Sequence, residues 1–269
     1  MQQKEFGLLI KAMRRETARL YGEKWTQTEL ARRANATPKI ISNLERGKKA
    51  HLEPELLLGL ARAFDLTTRE RTAFFSCASG LRRDDIPRPG HPADDFLASL
   101  LDVLRQYTLP AFIVDDYDNI IAANGIILQL FSAVQPLIEE APDTPGGYNV
   151  MRLVFSTRSP FAQSITENRE RHLLQTVYFF RFVTLERRAT RFYDDMMTAF
   201  FTEPEMADFR RVYLQSFQQE EDYFFEDGLS ALNLPNHPPL RFFAPPQQTV
   251  ATPYGRLHLI AYLPADLST

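Results

Sequence analysis

Apolar residues recur at helical spacing from the start of the chain. Leu8, Leu9, Ala12, Met13 and Leu20 return roughly every 3.6 residues and predict a helix over about 4–20. Thr26-Gln-Thr-Glu29 has the spacing of a capping box, in which Thr26 accepts the N–H of residue 29 and Glu29 reaches back. A second helix therefore starts there and runs to about residue 34. Thr37-Pro38 sets an N-cap before a proline at the first helical position, and Gly47 suits the left-handed turn that ends this third helix. A fourth helix opens near Glu53-Pro54 and turns Leu56, Leu57, Leu60 and Phe64 inward. A fifth opens on Thr67-Thr-Arg-Glu70, a second capping box, and carries Ala73 and Phe74.

The pattern then breaks. Pro87, Pro89 and Pro92 cannot sit inside a helix or a central strand, so residues 81–95 read as a linker between a head at 1–80 and a body at 96–269. The body starts with a helix over about 94–107. Leu109-Pro-Ala-Phe-Ile-Val leads into strand 111–115, an acidic turn at 115–119 and strand 119–123, a β-hairpin by its alternation. A helix follows at Gly125–Phe131, then a short element at 148–155. Helical patterns fill about 160–218, and two strands, about 239–250 and 254–263, close the chain. Residues 218–240 fit no element of this scheme.

Composition and charge sharpen the division. The 269 residues are 44% apolar and 24% charged, a mix that supports a buried core. All six lysines (Lys4, Lys11, Lys24, Lys39, Lys48, Lys49) lie in the head, which is net basic, while the body is net acidic. Such a polarity puts a polyanion partner at the head alone. The aromatic residues lie mostly in the body. Cys77 is the one cysteine, which excludes an internal disulfide and reads as a small buried residue. No leader segment and no run of about 20 apolar residues is apparent, so a cytoplasmic protein without membrane contact is expected. The histidines show no metal-ligand spacing, and the acids at 220–227 read as solvated surface. No nucleophile elbow or phosphate loop is present, so no enzyme and no resident cofactor is expected.

Only Asn35 and Ala36 separate the second helix from the Thr37 cap. A connection this short makes the two helices cross steeply and leaves one face of the third helix clear of the body. A helix fits the major groove of B-DNA, where base pairs are distinguishable. Pro38, Lys39, Ser42 and Asn43 fall on the outward side. Lys39 suits guanine O6 and N7, and Asn43 suits adenine N6 and N7. Gln27 and Thr37, in the opening turns of their helices, together with Arg46, Lys48 and Lys49 at the far end, suit backbone phosphates.

Residues 26–48, Thr-Gln-Thr-Glu-Leu-Ala…Ile-Ser-Asn-Leu-Glu-Arg-Gly-Lys, resemble the phage-repressor, or XRE, type of helix-turn-helix, and the likeness extends over about 6–76. The resemblance implies a phosphate contact at Gln27 and base contacts at Pro38, Lys39 and Asn43. Pro38 departs from the usual polar residue and leaves only apolar contact there. In the body, Leu109-Pro-Ala-Phe-Ile-Val, Asp118, Asn124, Leu130-Phe131, the block Asn149–Phe155 and the last strand pair are similar to the MmyB-like regulators. These join such a head to a PAS-like ligand-binding domain. The resemblance implies an all-α five-helix head followed by an α+β PAS-like domain, double-stranded operator DNA and a homodimer. It also implies a small apolar effector such as a fatty acid. A pocket is expected among Phe112, Asn124, Phe131, Asn149, Arg152, Phe155, Tyr178, Phe182, Phe192, Met196 and Phe200, with Arg181 a further polar anchor. Two alternatives stay open: these aromatics are ordinary core or a dimer interface, or the body is a protein-docking module without a small ligand.

Overall fold

Five helices form the head: α1 (Gln3–Tyr21), α2 (Gln27–Arg33), α3 (Pro38–Glu45), α4 (Pro54–Ala63) and α5 (Thr68–Ser79). In this computed structural model the described residues are 3–21, 24–49, 52–79, 93–130, 149–166, 168–218, 229–233, 239–243, 248–252 and 255–265. Three of the helices end alike. After α2 the N–H of Ala36 returns to Ala31 O at 2.8 Å, after α3 that of Lys48 to Asn43 O at 2.9 Å, and after α4 that of Leu66 to Ala61 O at 3.0 Å. Each such turn needs one left-handed residue, supplied by Asn35, Gly47 and Asp65. These tight stops fold the helices around Phe6, Leu9, Ile10, Met13, Trp25, Leu30, Ile41, Leu44, Leu60 and Phe74. Cys77 is buried in the same core.

The two capping boxes come out differently. At Thr67 the box is complete: Thr67 Oγ accepts the Glu70 N–H at 3.3 Å and Glu70 accepts the Thr67 N–H at 2.9 Å. At Thr26 only half forms. Glu29 N–H reaches Thr26 Oγ at 3.1 Å, but the Glu29 carboxylate turns to Arg32 and Arg33 instead of reaching back. On an exposed helix two guanidiniums one turn away compete successfully for that carboxylate.

The body begins with α6 (Ala93–Gln106), inside the predicted linker, the rest of which lies outside the described residues. The hairpin follows as β1 (Ala111–Val114) and β2 (Ile120–Ala123), then α7 (Gly125–Leu130). Helices α8 (Val150–Phe155), α9 (Pro160–Ser164), α10 (Arg169–Thr184), α11 (Arg191–Thr202) and α12 (Ala207–Gln215) come next. The chain closes with β3 (Leu229–Leu232), β4 (Leu240–Phe243), β5 (Gln248–Thr252), β6 (Gly255–Ala261) and β7 (Leu263–Pro264). One antiparallel sheet has the order β2-β1-β6-β5 and a second has β3-β4-β7. The single strand expected over 239–250 is thus two strands in different sheets. Pro245 and Pro246 stand between them and cannot donate to a ladder. Part of the unassigned stretch 218–240 is β3, paired with β4 from Leu229↔Phe243 to Leu232↔Leu240.

Strand β1 is buried along its whole length because both faces of its sheet are covered. Ala111 and Ile113 face Leu104 of α6, whereas Phe112 and Val114 face Ile127 of α7 and Phe179 of α10. A separate core joins α8, α10, α11 and α12 through Phe155, Phe180, Met196, Phe200, Phe209 and Tyr213.

Head and body share their interior. Leu185, just past α10, is fully buried in the head's core, and Phe182 packs on it. Around this contact lies a polar network. Arg181 clasps Glu70 with Nη2 at 2.8 Å and Nε at 3.2 Å, and reaches Asp65 O at 3.2 Å and Ser216 O at 2.7 Å. Arg188 donates to the same Glu70 carboxylate at 2.7 Å. Glu16 of α1 accepts the hydroxyls of Tyr193 at 2.8 Å and Tyr213 at 2.9 Å. Arg181 and Glu70 are both 0% exposed. Burial pushes the Glu70 carboxyl up, but Arg181, Arg188 and the Thr67 N–H outweigh it and hold the group below its usual value.

Two outcomes follow. Glu70→Ala leaves two buried guanidiniums short of an anion, so the unfolding free energy from urea titration should fall by about 3–5 kcal/mol. Acid should weaken the protein before its carboxylates titrate. Burial pushes the His258 imidazole down to about 4 from 6.5. Between those values the unfolded chain binds the extra proton, so stability is lost as pH falls through that window. Urea titrations at pH 7, 6 and 5 check the slope, which His258→Leu should make shallower.

Candidate nucleic-acid interface and apolar cavity

Helix α3 is held from behind. Gly7 of α1 lets the two helices touch: a Cβ there would lie 2.2 Å from Leu44 O. Glu45, in the last turn of α3, is buried and sits where the helix dipole disfavours an anion. Arg14 compensates, with Nε and Nη2 on the two carboxylate oxygens at 2.6 Å and 3.0 Å. Its Nη1 donates to Trp25 O at 2.8 Å. Gln27 completes the set, donating to Glu45 Oε2 at 2.8 Å. Helices α1, α2 and α3 are thereby tied at one carboxylate. Arg14 and Glu45 were not among the expected site residues; an acid closing a DNA-facing helix was the signal available for them.

The outward side of α3 is open. Pro38 and Lys39 are exposed, and Ser42 and Asn43 are half-buried beside them. Thr37 caps the helix by accepting the Ile40 N–H at 3.3 Å. Arg46 folds back, donating to Asn43 Oδ1 at 3.2 Å and to Ser42 O at 3.1 Å. Lys48 is exposed, while Lys49 pairs with Glu53 at 2.9 Å. The body approaches the head through Glu16, Asp65 and Glu70, none of which is on α3.

The expected pocket is a different matter. An apolar cavity of about 80 Å³ is lined by Phe112, Ile120, Ala123, Ile127, Leu128, Val150, Leu153, Val154, Phe161 and Tyr262. Of the eleven expected pocket residues it contains Phe112. Phe155, Tyr178, Met196 and Phe200 fill the core of the body instead. Four helices meet there, so both aromatic faces of α11 are consumed by packing. Phe182 packs on the head, and Phe192 is surface-exposed against Tyr117. Arg152 pairs with Glu203, and Arg181 belongs to the network with Glu70. Asn124 caps α7, accepting from Ile127 N–H at 3.1 Å, and holds the chain before β1 through Leu109 O at 2.6 Å. Asn149 caps α8, accepting the Met151 N–H at 2.9 Å, and braces the hairpin turn through Tyr117 O at 2.7 Å. Phe131 and the acids at 220–227 lie outside the described residues.

One polar group near this cavity is unusual. Asp118 is 0% exposed, and neither carboxyl oxygen has a hydrogen-bond partner among the described residues. Its backbone carbonyl accepts the N–H of Val150, a cavity residue, at 3.0 Å. Burial, reinforced by Asp115, pushes its carboxyl well up. Burial and the nearby Asp118 push the Tyr262 hydroxyl up to about 12. Among the described residues no three His, Cys, Asp or Glu side chains converge as a metal site. No described helix is long and apolar enough to cross a membrane.

Comparison with known families gives two matches. Residues 16–71 match a helix-turn-helix family, and residues 97–222 match the MmyB-like transcription regulator ligand binding domain. No curated protein sequence matches the chain.

On this geometry Lys39→Ala or Asn43→Ala should weaken binding to a selected DNA site by about 1–3 kcal/mol with little effect on random duplex. Lys48→Ala should weaken both alike and flatten the salt dependence. Fluorescence anisotropy at several salt concentrations separates the two classes of residue.

Proposed function

The chain belongs to the MmyB-like transcription regulators, DNA-binding proteins with a ligand-binding domain, and on that premise we propose that it is a one-component regulator. In this reading it grips a two-fold operator as a homodimer and alters that grip when a small apolar molecule enters the body. The observation that carries the DNA half is the open outward face of α3, braced from behind by Arg14, Glu45 and Gln27. Pro38, Lys39, Ser42 and Asn43 take the base edges. Gln27, Thr37, Arg46 and Lys48 take phosphates, and Lys49 joins them once it exchanges Glu53 for phosphate. Two such helices read half-sites about 34 Å apart.

The sensing half rests on the cavity. Its walls are apolar, its floor is the β1-β2 hairpin, and Leu128, 52% exposed, stands at its edge. At about 80 Å³ it is smaller than the ~150 Å³ engineered cavity that takes benzene. A fatty-acid-like effector would have to spread the walls as it enters. The sheet order β2-β1-β6-β5, with its helices packed on one face, supports a PAS-like description of the body. This function calls for a non-covalent effector, no prosthetic group and a cytoplasmic setting. An enclosed apolar cavity favours a small molecule over a docked protein.

Helix α10 is the route between the halves. Phe179 packs on the same side of the sheet as the cavity, Arg181 clasps Glu70, and Phe182 rests on the head's core. A ligand that displaces Phe112 or Val150 shifts the seat of Phe179 and, through one helical turn, the seat of the head.

Selection of binding sites from random duplexes should return two-fold symmetric sequences, and sedimentation should give a dimer on them. Ala123→Trp fills the cavity and should abolish any effector response while leaving basal DNA binding within about twofold. Asymmetric single half-sites bound by a monomer would overturn the dimer reading.

A further inference from the structure

We infer that Asp118 is the recognition group for the polar end of the effector, and that this end is a cationic amine rather than a carboxylate. The inference rests on the cavity reading above and changes the head group that a fatty acid would bring.

A buried carboxyl with both oxygens unsatisfied costs free energy in the empty protein and calls for an explanation. The chain gives Asp118 no compensating cation. The acids Asp115 and Asp116 precede it in the same turn. Asp116 is matched by Arg187 at 2.5 Å and Arg256 at 3.2 Å. Asp115 is satisfied by the N–H groups of Tyr117 at 2.8 Å and Asn119 at 2.9 Å. Asp118 alone keeps its acceptors unused, in a left-handed turn with φ 65° that fixes its place. Ile120, two residues on, Val150, hydrogen-bonded to its carbonyl, and Tyr262, close enough to feel its charge, all line the cavity.

An incoming ammonium satisfies the carboxylate it ionises, because the charge-assisted hydrogen bond and the ion pair replace the lost solvation together. An incoming carboxylate meets two acids and no guanidinium: Arg152 is engaged by Glu203, and Arg181 by Glu70. The ligand class is therefore a small amine with an apolar body.

The test compares octylamine, octanol and octanoate on the full chain by calorimetry below their micellar concentrations. Octylammonium should bind at least tenfold more tightly than octanoate, with octanol between. Asp118→Asn, checked for folding by circular dichroism, should remove the advantage of the amine over the alcohol and keep the alcohol. Octanoate binding as tightly as the amine, or an unchanged amine-to-alcohol ratio in Asp118→Asn, overturns the assignment while the cavity stands. Should none of the three bind, or should Ala123→Trp leave all three binding, the cavity reading falls and this inference with it. If Asp118→Asn does not fold, the order of the three ligands on the native chain decides alone.

Discussion

Two acids of the head, Glu16 and Glu70, meet two arginines of the body, Arg181 and Arg188, in a region sealed from water. Charges buried in this way are stable only as a complete set, because each one left over costs several kcal/mol. The constraint is geometric as well as energetic. Arg181 must reach Glu70, Asp65 O and Ser216 O at once, which fixes α10 against the α4–α5 turn and against the end of α12. Tyr193 and Tyr213 add α11 through Glu16 of α1. The head therefore does not hang from a tether in this structure. It is seated on the body by a polar joint with an apolar centre at Leu185.

That seating gives the two functional regions a common frame. On one side, α1 carries both Glu16, which binds the body, and Arg14, which holds Glu45 and so sets α3. On the other, α10 carries both Arg181 and Phe179. The distance from cavity to recognition helix is spanned by two helices whose side chains are locked at both ends. Coupling through such elements requires a second arrangement of the joint. A joint made of charges supplies the means, since small displacements change its energy steeply where water is excluded.

The cavity obeys another constraint. It lies where the hairpin, α7 and α8 converge but do not fully interdigitate, and the side chains around it come from separate stretches of the chain. The large aromatic residues of α11 are absent from it because four helices around them leave no room. A run of bulky apolar side chains marks where packing is densest. The void appears instead where Ala123 and Val150 leave the wall thin.

Much of the head could be read from the chain because its devices are local. Caps at Thr26, Thr37 and Thr67, the stop at Gly47 and the two-residue turn at Asn35-Ala36 each act within a few residues, and the outward set on α3 follows from them by helical period alone. The hairpin of the body was legible for the same reason. What the sequence could not convey is pairing across long separations. Glu70 looks like an ordinary capping residue until Arg181 arrives more than a hundred positions later. Arg152 and Arg181 look like ligand anchors until Glu203 and Glu70 claim them. The membership of β4 and β5 in two sheets, the seat of the head and the lining of the cavity were decided by tertiary structure. They depend on which distant surfaces exclude water together, and that is settled only when the whole chain has packed.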